Sequence, residues 1–185
     1  MKATREAFGD TLPLMGDTNE NILALDADLG GATKIRAFGD RHPDRFFQIG
    51  IAEANMIGIA AGLASEGQQV FTSTFSTFQT MRCFEQIRVN IGYMKHKVNM
   101  VGLASGLVLG MLGYTHCCIE DVSIMRSIPG IFSAKGRNKC VHWSSNLSIS
   151  SGFRKSTVIL YMSHDYTLPQ KNRSVAANMD VDQLL

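Results

Sequence analysis

Through the first 130 residues, short apolar runs of strand type alternate with longer segments of helical spacing. That alternation constrains the fold more than any other feature of the chain. Ile22-Leu23-Ala24-Leu25 reads as a short buried strand, Phe46-Phe47-Gln48-Ile49 as a second ending at Gly50, and Val70-Phe71-Thr72 as a third. Val98 to Leu103 reads as a fourth. Between and around them, helices are expected over 3–16, 52–65, 75–91 and 119–127, with Pro13 ending the first early and Pro129 ending the last. Regular alternation predicts an α/β fold: a parallel sheet with helices on both faces and right-handed crossovers. Ligands on such sheets bind beyond the carboxyl ends of the strands. The loops to watch are therefore Asp26–Gly31, Gly50–Glu53, Thr72–Phe78 and Leu103–His116.

The pattern stops near Pro129. Residues 1–130 hold 15 of the 17 glycines and a small excess of acid over base, whereas residues 131–185 carry 7 Lys+Arg against 3 Asp+Glu and nine serines. Only Thr157 to Met162 resembles a strand there. The expected organisation is a folded unit at 1–130 and an atypical, poorly ordered tail at 131–185, which would leave the sheet incomplete at its C-terminal end. The chain's hydrophobic content of 45% supports a true core, and its net charge of +2 gives no case for nucleic acid as the main partner. No apolar run reaches about 18 residues, so no membrane span is expected. The charged start, MKATREAFGD, is unlike a signal peptide. Cys83, Cys117, Cys118 and Cys140 fit neither a paired zinc site nor a dense disulfide framework. A cytoplasmic setting follows as the expectation.

Glu53 is the most informative residue. It follows a strand and Gly50 at the entrance of a helix otherwise built from Ala, Ile, Met and Gly. A carboxylate there is favoured by the helix dipole alone. The apolar surroundings also suit a desolvated carboxyl group that donates or accepts a proton. Spacing does not separate the two readings.

Asp-Ala-Asp at 26–28 and Pro-Asp-Arg-Phe-Phe-Gln-Ile-Gly-Ile-Ala-Glu-Ala-Asn-Met at 43–56 closely resemble the pyrimidine-binding domain of transketolases, as found in the C-terminal subunit of split bacterial transketolases. Ser-Thr-Phe-Ser-Thr-Phe at 73–78, Phe-Glu-Gln-Ile-Arg at 84–88, Gly-Tyr-Thr-His at 113–116, Ile-Glu-Asp at 119–121 and Met-Arg-Ser-Ile-Pro at 125–129 continue the resemblance over about residues 3–130. It implies a thiamine-diphosphate-binding fold and transfer of a two-carbon ketol unit between sugar phosphates. It further implies that Glu53 hydrogen-bonds the aminopyrimidine N1′, that Phe75 and Phe78 surround that ring, that Asp28 lies near the thiazolium, and that His116 contacts substrate oxygens. Each also has a plainer reading. Phe75 and Phe78 share a helical face and suit core packing, Asp28 suits a loop residue bonding its own backbone, and His116 suits a buried, satisfied histidine or a weak metal ligand, though His116, Cys117 and Cys118 stand too close together for a zinc site. The family's diphosphate motif, Gly-Asp-Gly with a downstream Asn pair, does not occur, since Gly39-Asp40 is followed by Arg41. Mg²⁺ and the diphosphate are thus expected on a partner, the N-terminal transketolase subunit, in a homo- or hetero-oligomer, with no metal ligand from this chain.

Residues 104–113 depart from the family pattern. Ala104 stands where a first histidine is expected, and Met111 and Leu112 replace an acidic pair. Loss of one positioned acid/base group typically costs about 10²–10⁴ in rate. A catalytically defective pyrimidine-binding domain acting as an interaction partner is therefore the alternative to a working half-enzyme. A deoxyxylulose phosphate synthase-like enzyme is a further one.

Overall fold

Among the described residues, six parallel strands form one sheet in the order β2-β1-β3-β4-β6-β5. They are β1 Ile22–Asp26, β2 Phe46–Gln48, β3 Gln69–Phe75, β4 Val98–Leu103, β5 Ile131–Gly136 and β6 Thr157–Met162. The computed structural model describes residues 3–136 and 157–162. Expectations for 137–156 and 163–185, including most of the predicted tail and Cys140, lie outside the described residues. The registers are continuous: Ala24 on β1 pairs with Phe46 on β2 and Phe71 on β3, and Phe71 pairs with Asn99 on β4. The sheet continues past residue 130, because β6 pairs with β4 and carries β5 on its other side.

Alternation along the strands divides the core into two layers. Leu25, Val70, Val98 and Met100 point to one face, where Met56, Ile57 and Ala60 of α4 (Glu53–Ser65) and Met125 of α7 (Asp121–Arg126) cover them. Ile22, Ala24, Phe71 and Val101 point to the other, beneath Phe8 and Leu12 of α1 (Thr4–Thr18) and Phe38 of α3 (Arg36–Arg41). The short turn α2, Gly30–Thr33, follows β1. The α/β fold with helices on both faces is thus present as expected.

Two helices differ from expectation. α1 runs through Pro13 to Thr18. The Pro13 ring is buried and its carbonyl meets His42 Nε2 at 3.0 Å, so packing against α3 outweighs the lost helical hydrogen bond. The segment 75–91 is not one helix. It divides into α5 (Ser76–Thr80), a turn at 81–83, α6 (Phe84–Gln86) and a wide π-type segment, Ile87–Tyr93. At the break the Cys83 thiol donates to the Phe78 carbonyl at 3.1 Å, satisfying a carbonyl that a continuous helix would have used.

Candidate functional site

The C-terminal ends of β1, β3 and β4 supply the site. β3 ends at Phe75 and passes directly into α5, which places Phe78 one turn later on the same side. The two rings lie 5.9 Å apart at 45°. His116 stands edge-on to both, with centroids 6.0 Å from Phe75 and 5.3 Å from Phe78. These spacings are those of favourable aromatic pairs. The rings are only partly buried, so one side of the cluster stays open.

His116 is held there by the loop that follows β4. Gly106 and Cys118 exchange backbone hydrogen bonds at 2.7 and 3.0 Å, closing the loop between them. The Cys118 thiol packs at 3.8 Å from Thr80 Oγ1, which ties that closure to α5. Thr115 Oγ1 lies 3.0 Å from His116 Nδ1. The loop tip carries Met111, which is 91% exposed, and the exposed Leu112. Ala104 opens the loop in the left-handed region, at φ 58°, and is buried.

Glu53 is the first residue of α4 and its side chain is 3% exposed. Gly50, at φ 78°, makes the turn that delivers it. A buried carboxylate needs a partner, and Arg82 from the turn between α5 and α6 provides one: its guanidinium donates to Glu53 Oε1 at 2.7 Å. The same guanidinium lies over the Phe78 ring, 4.2 Å from its centroid. Glu53, Arg82, Phe78, His116 and Phe75 therefore form one continuous cluster.

Asp28 stands apart from it. It is exposed, in the left-handed region at φ 60°, and its backbone N–H donates to Gln48 Oε1 at 2.9 Å. Its carboxylate makes no hydrogen bond or ion pair among the described residues. Gln48 gathers this end of the sheet. Its Oε1 also accepts from Gly50 N–H at 3.0 Å, and its Nε2 donates to Asp26 Oδ2 at 2.7 Å. Asp26 is buried and accepts two further bonds, from the N–H groups of Gly30 at 2.8 Å and Leu29 at 3.3 Å. Burial pushes its carboxyl above the ordinary carboxylate range, against the pull of the Gln48, Leu29 and Gly30 hydrogen bonds.

Sequence reasoning placed Glu53, Phe75, Phe78 and His116, which the structure brings together, and Asp28, which bonds to Gln48 instead of to that cluster. It missed Arg82, Gln48 and Asp26. Arg82 lies 29 residues from the carboxylate it pairs with, so no local spacing reveals it. Among the described residues no group of three or more His, Cys, Asp or Glu side chains is placed to hold a metal ion, and no helix is long and apolar enough to cross a membrane.

An all-parallel sheet with its polar and aromatic groups collected beyond the strand ends defines a ligand-binding α/β domain. The comparisons make the class specific. The sequence matches the family described as "Transketolase, pyrimidine binding domain" over residues 1–159. It is 45% identical over 130 residues to a "Putative transketolase C-terminal section" of Methanocaldococcus jannaschii, covering 70% of this chain and 41% of that protein. It is 42% identical over 127 residues to the "6-deoxy-6-sulfo-D-fructose transketolase subunit SqwH" of a Clostridium species, covering 69% and 39%. Among solved structures, "Split gene transketolase, inactive beta4 tetramer" superposes with a TM-score of 0.71 at 34% identity, over 87% of this chain and 51% of that one. The chain belongs to the transketolase pyrimidine-binding domain family. It spans about two fifths of the length of these two curated relatives.

Proposed function

We propose that this chain supplies the pyrimidine-binding half of a two-part transketolase site. A partner carrying the diphosphate-binding domain would complete it, and the pair would move a two-carbon ketol unit between sugar phosphates. The observation that carries this reading is the single cluster of a buried Glu53 at the start of α4 with the Phe75, Phe78 and His116 rings. It fits the aminopyrimidine end of thiamine diphosphate: aromatic faces for a flat ring and a carboxyl group for a ring nitrogen. The sequence carries Gly39-Asp40-Arg41 in place of the family's Gly-Asp-Gly motif, which supports assigning Mg²⁺ and the diphosphate to the partner, a second chain of N-terminal-subunit type.

In this reading thiamine diphosphate, when bound, supplies the electron sink for the ketose carbonyl carbon. Glu53 hydrogen-bonds the aminopyrimidine N1′ and holds or moves a proton at that atom. Phe75 and Phe78 seat the ring and exclude water from Glu53. His116 orients substrate oxygens at the open side of the rings, and Asp28 places a negative charge toward the thiazolium side. Residues 1–130 with β5 and β6 constitute the folded unit, in a soluble cytoplasmic assembly.

A second reading rests on the loop after β4. Ala104 offers no proton-transfer group, and Met111 and Leu112 present apolar side chains at the rim. A domain that binds cofactor and partner without turnover would look like this. Mixing the chain with its N-terminal-type partner, thiamine diphosphate and Mg²⁺ separates the two. Transfer from xylulose 5-phosphate that falls at least about 100-fold in Glu53→Ala supports a working half-enzyme. A formed, cofactor-loaded complex without transfer supports the defective domain. Use of pyruvate as donor would favour a deoxyxylulose phosphate synthase-like enzyme and refute both.

A further inference from the structure

Arg82 touches both surfaces that the proposed cofactor head needs. Its guanidinium donates to Glu53 Oε1 at 2.7 Å and covers the Phe78 ring at 4.2 Å. A guanidinium is planar, carries N–H donors and stacks on aromatic faces. An aminopyrimidine shares those three properties. Arg82 thus makes, within the chain itself, the contacts assigned above to the ligand.

Two further observations bear on what Arg82 does. Its side chain is 47% exposed, against 3% for Glu53, so one partner is fixed in the protein and the other reaches it from solvent. Arg82 also sits on the turn at 81–83, where the helix expected over 75–91 is broken. A turn residue with a long exposed stem can leave its partner without unpacking a helix.

We infer that Arg82 is a place-holder: in the free chain it occupies the aminopyrimidine seat, keeping buried Glu53 paired, and it withdraws when the ligand head enters. This inference rests on the proposed pyrimidine site. It makes Arg82 a positioning residue whose two effects have opposite sign. It stabilises the free chain, because a buried carboxylate without a partner is costly, and it weakens ligand binding, because its own contacts must first be released. A residue with only a structural role would change both in the same direction.

The test uses this chain alone, with the hydroxymethyl aminopyrimidine half of thiamine as probe, so no diphosphate-binding partner is required. Binding is followed by NMR titration and stability by thermal unfolding. Arg82→Met is expected to bind the probe about 5–10-fold more tightly than the wild type, while its melting temperature falls by about 5 °C. Arg82→Lys keeps the charge and loses the planar stack. It is expected to show smaller shifts of the same two signs, and it carries the test if the methionine variant does not fold. Phe78→Ala and Glu53→Gln report on the site itself. If both weaken the probe but Arg82→Met and Arg82→Lys bind it no better than the wild type, the place-holder is refuted and the pyrimidine site stands. If neither weakens it, the pyrimidine site is refuted and the place-holder falls with it.

Discussion

Replacing Gln48 with leucine should uncouple the two loops that lead into the site. The substitution removes three hydrogen bonds: Nε2 to Asp26 Oδ2 at 2.7 Å, and the Asp28 and Gly50 N–H groups to Oε1 at 2.9 and 3.0 Å. The first is to a charged group, worth about 1.5–3 kcal/mol, and the others are neutral, worth about 1 kcal/mol each. Gln48 is exposed, so water recovers part of the neutral pair, and the expected loss at pH 7 is about 2–4 kcal/mol. The loss should also depend on pH. The folded carboxyl of Asp26 is raised above its ordinary value by burial. The native state therefore holds this proton more tightly than the unfolded chain does. The resulting stability is fully present below the unfolded pKa and is lost as pH rises through the folded one. The Gln48 hydrogen bond limits that loss, and removing it raises the carboxyl further. Urea unfolding of Gln48→Leu against the wild type should show a deficit that grows from pH 4 to pH 7. An equal deficit at both, or one below about 1 kcal/mol at pH 7, would refute the clamp.

Burial pushes the Cys83 thiol up to about 12 and the Cys118 thiol up to about 11. At pH 8 both should react with iodoacetamide at least about 100-fold more slowly in the folded chain than in urea, as read by peptide mass spectrometry. Equal rates would refute the packing around them. Because both folded values are raised, their contribution to stability is present below the ordinary thiol value of 9.0 and is lost as pH climbs through 11 to 12. Two glycine-to-alanine changes should differ in sign. A Cβ at Gly62, exposed in α4, meets nothing within 4 Å, and Gly62→Ala should stabilise by about 1 kcal/mol. A Cβ at Gly16 would lie 2.6 Å from His42 Nε2 and 2.7 Å from Phe38 Cε2, and Gly16→Ala should destabilise by about 1–3 kcal/mol. Urea midpoints check both, and the same sign for the two would contradict the packing described.

What was legible in the sequence was whatever a short local pattern encodes. β4 begins and ends where its apolar run does, and α4 follows Gly50 as its composition suggests. Phe75, Phe78 and His116 were legible through motifs, not through spacing. What was lost involves partners far apart in the chain. Helical periodicity over 75–91 registers the apolar residues but not the thiol that takes the Phe78 carbonyl, so it joins three short segments into one. Pro13 reads as a helix end because His42, which follows α3 and meets its carbonyl, comes 29 positions later. Gln48 looks like one polar residue in an apolar strand, since its role depends on Asp26, Asp28 and Gly50 arriving together.

Among the described residues β5 has a single neighbour in the sheet, and that neighbour is β6, which is later in the chain. During synthesis the first four strands can assemble as they emerge, each beside one already made. The fifth has nowhere to pair until residues 157–162 leave the ribosome. Those six residues must then insert between a finished edge and a waiting strand. A stop anywhere in 137–156 would therefore remove two strands from the sheet, not one, and would release Ile131–Gly136 as an unpaired segment open to protease and to other chains.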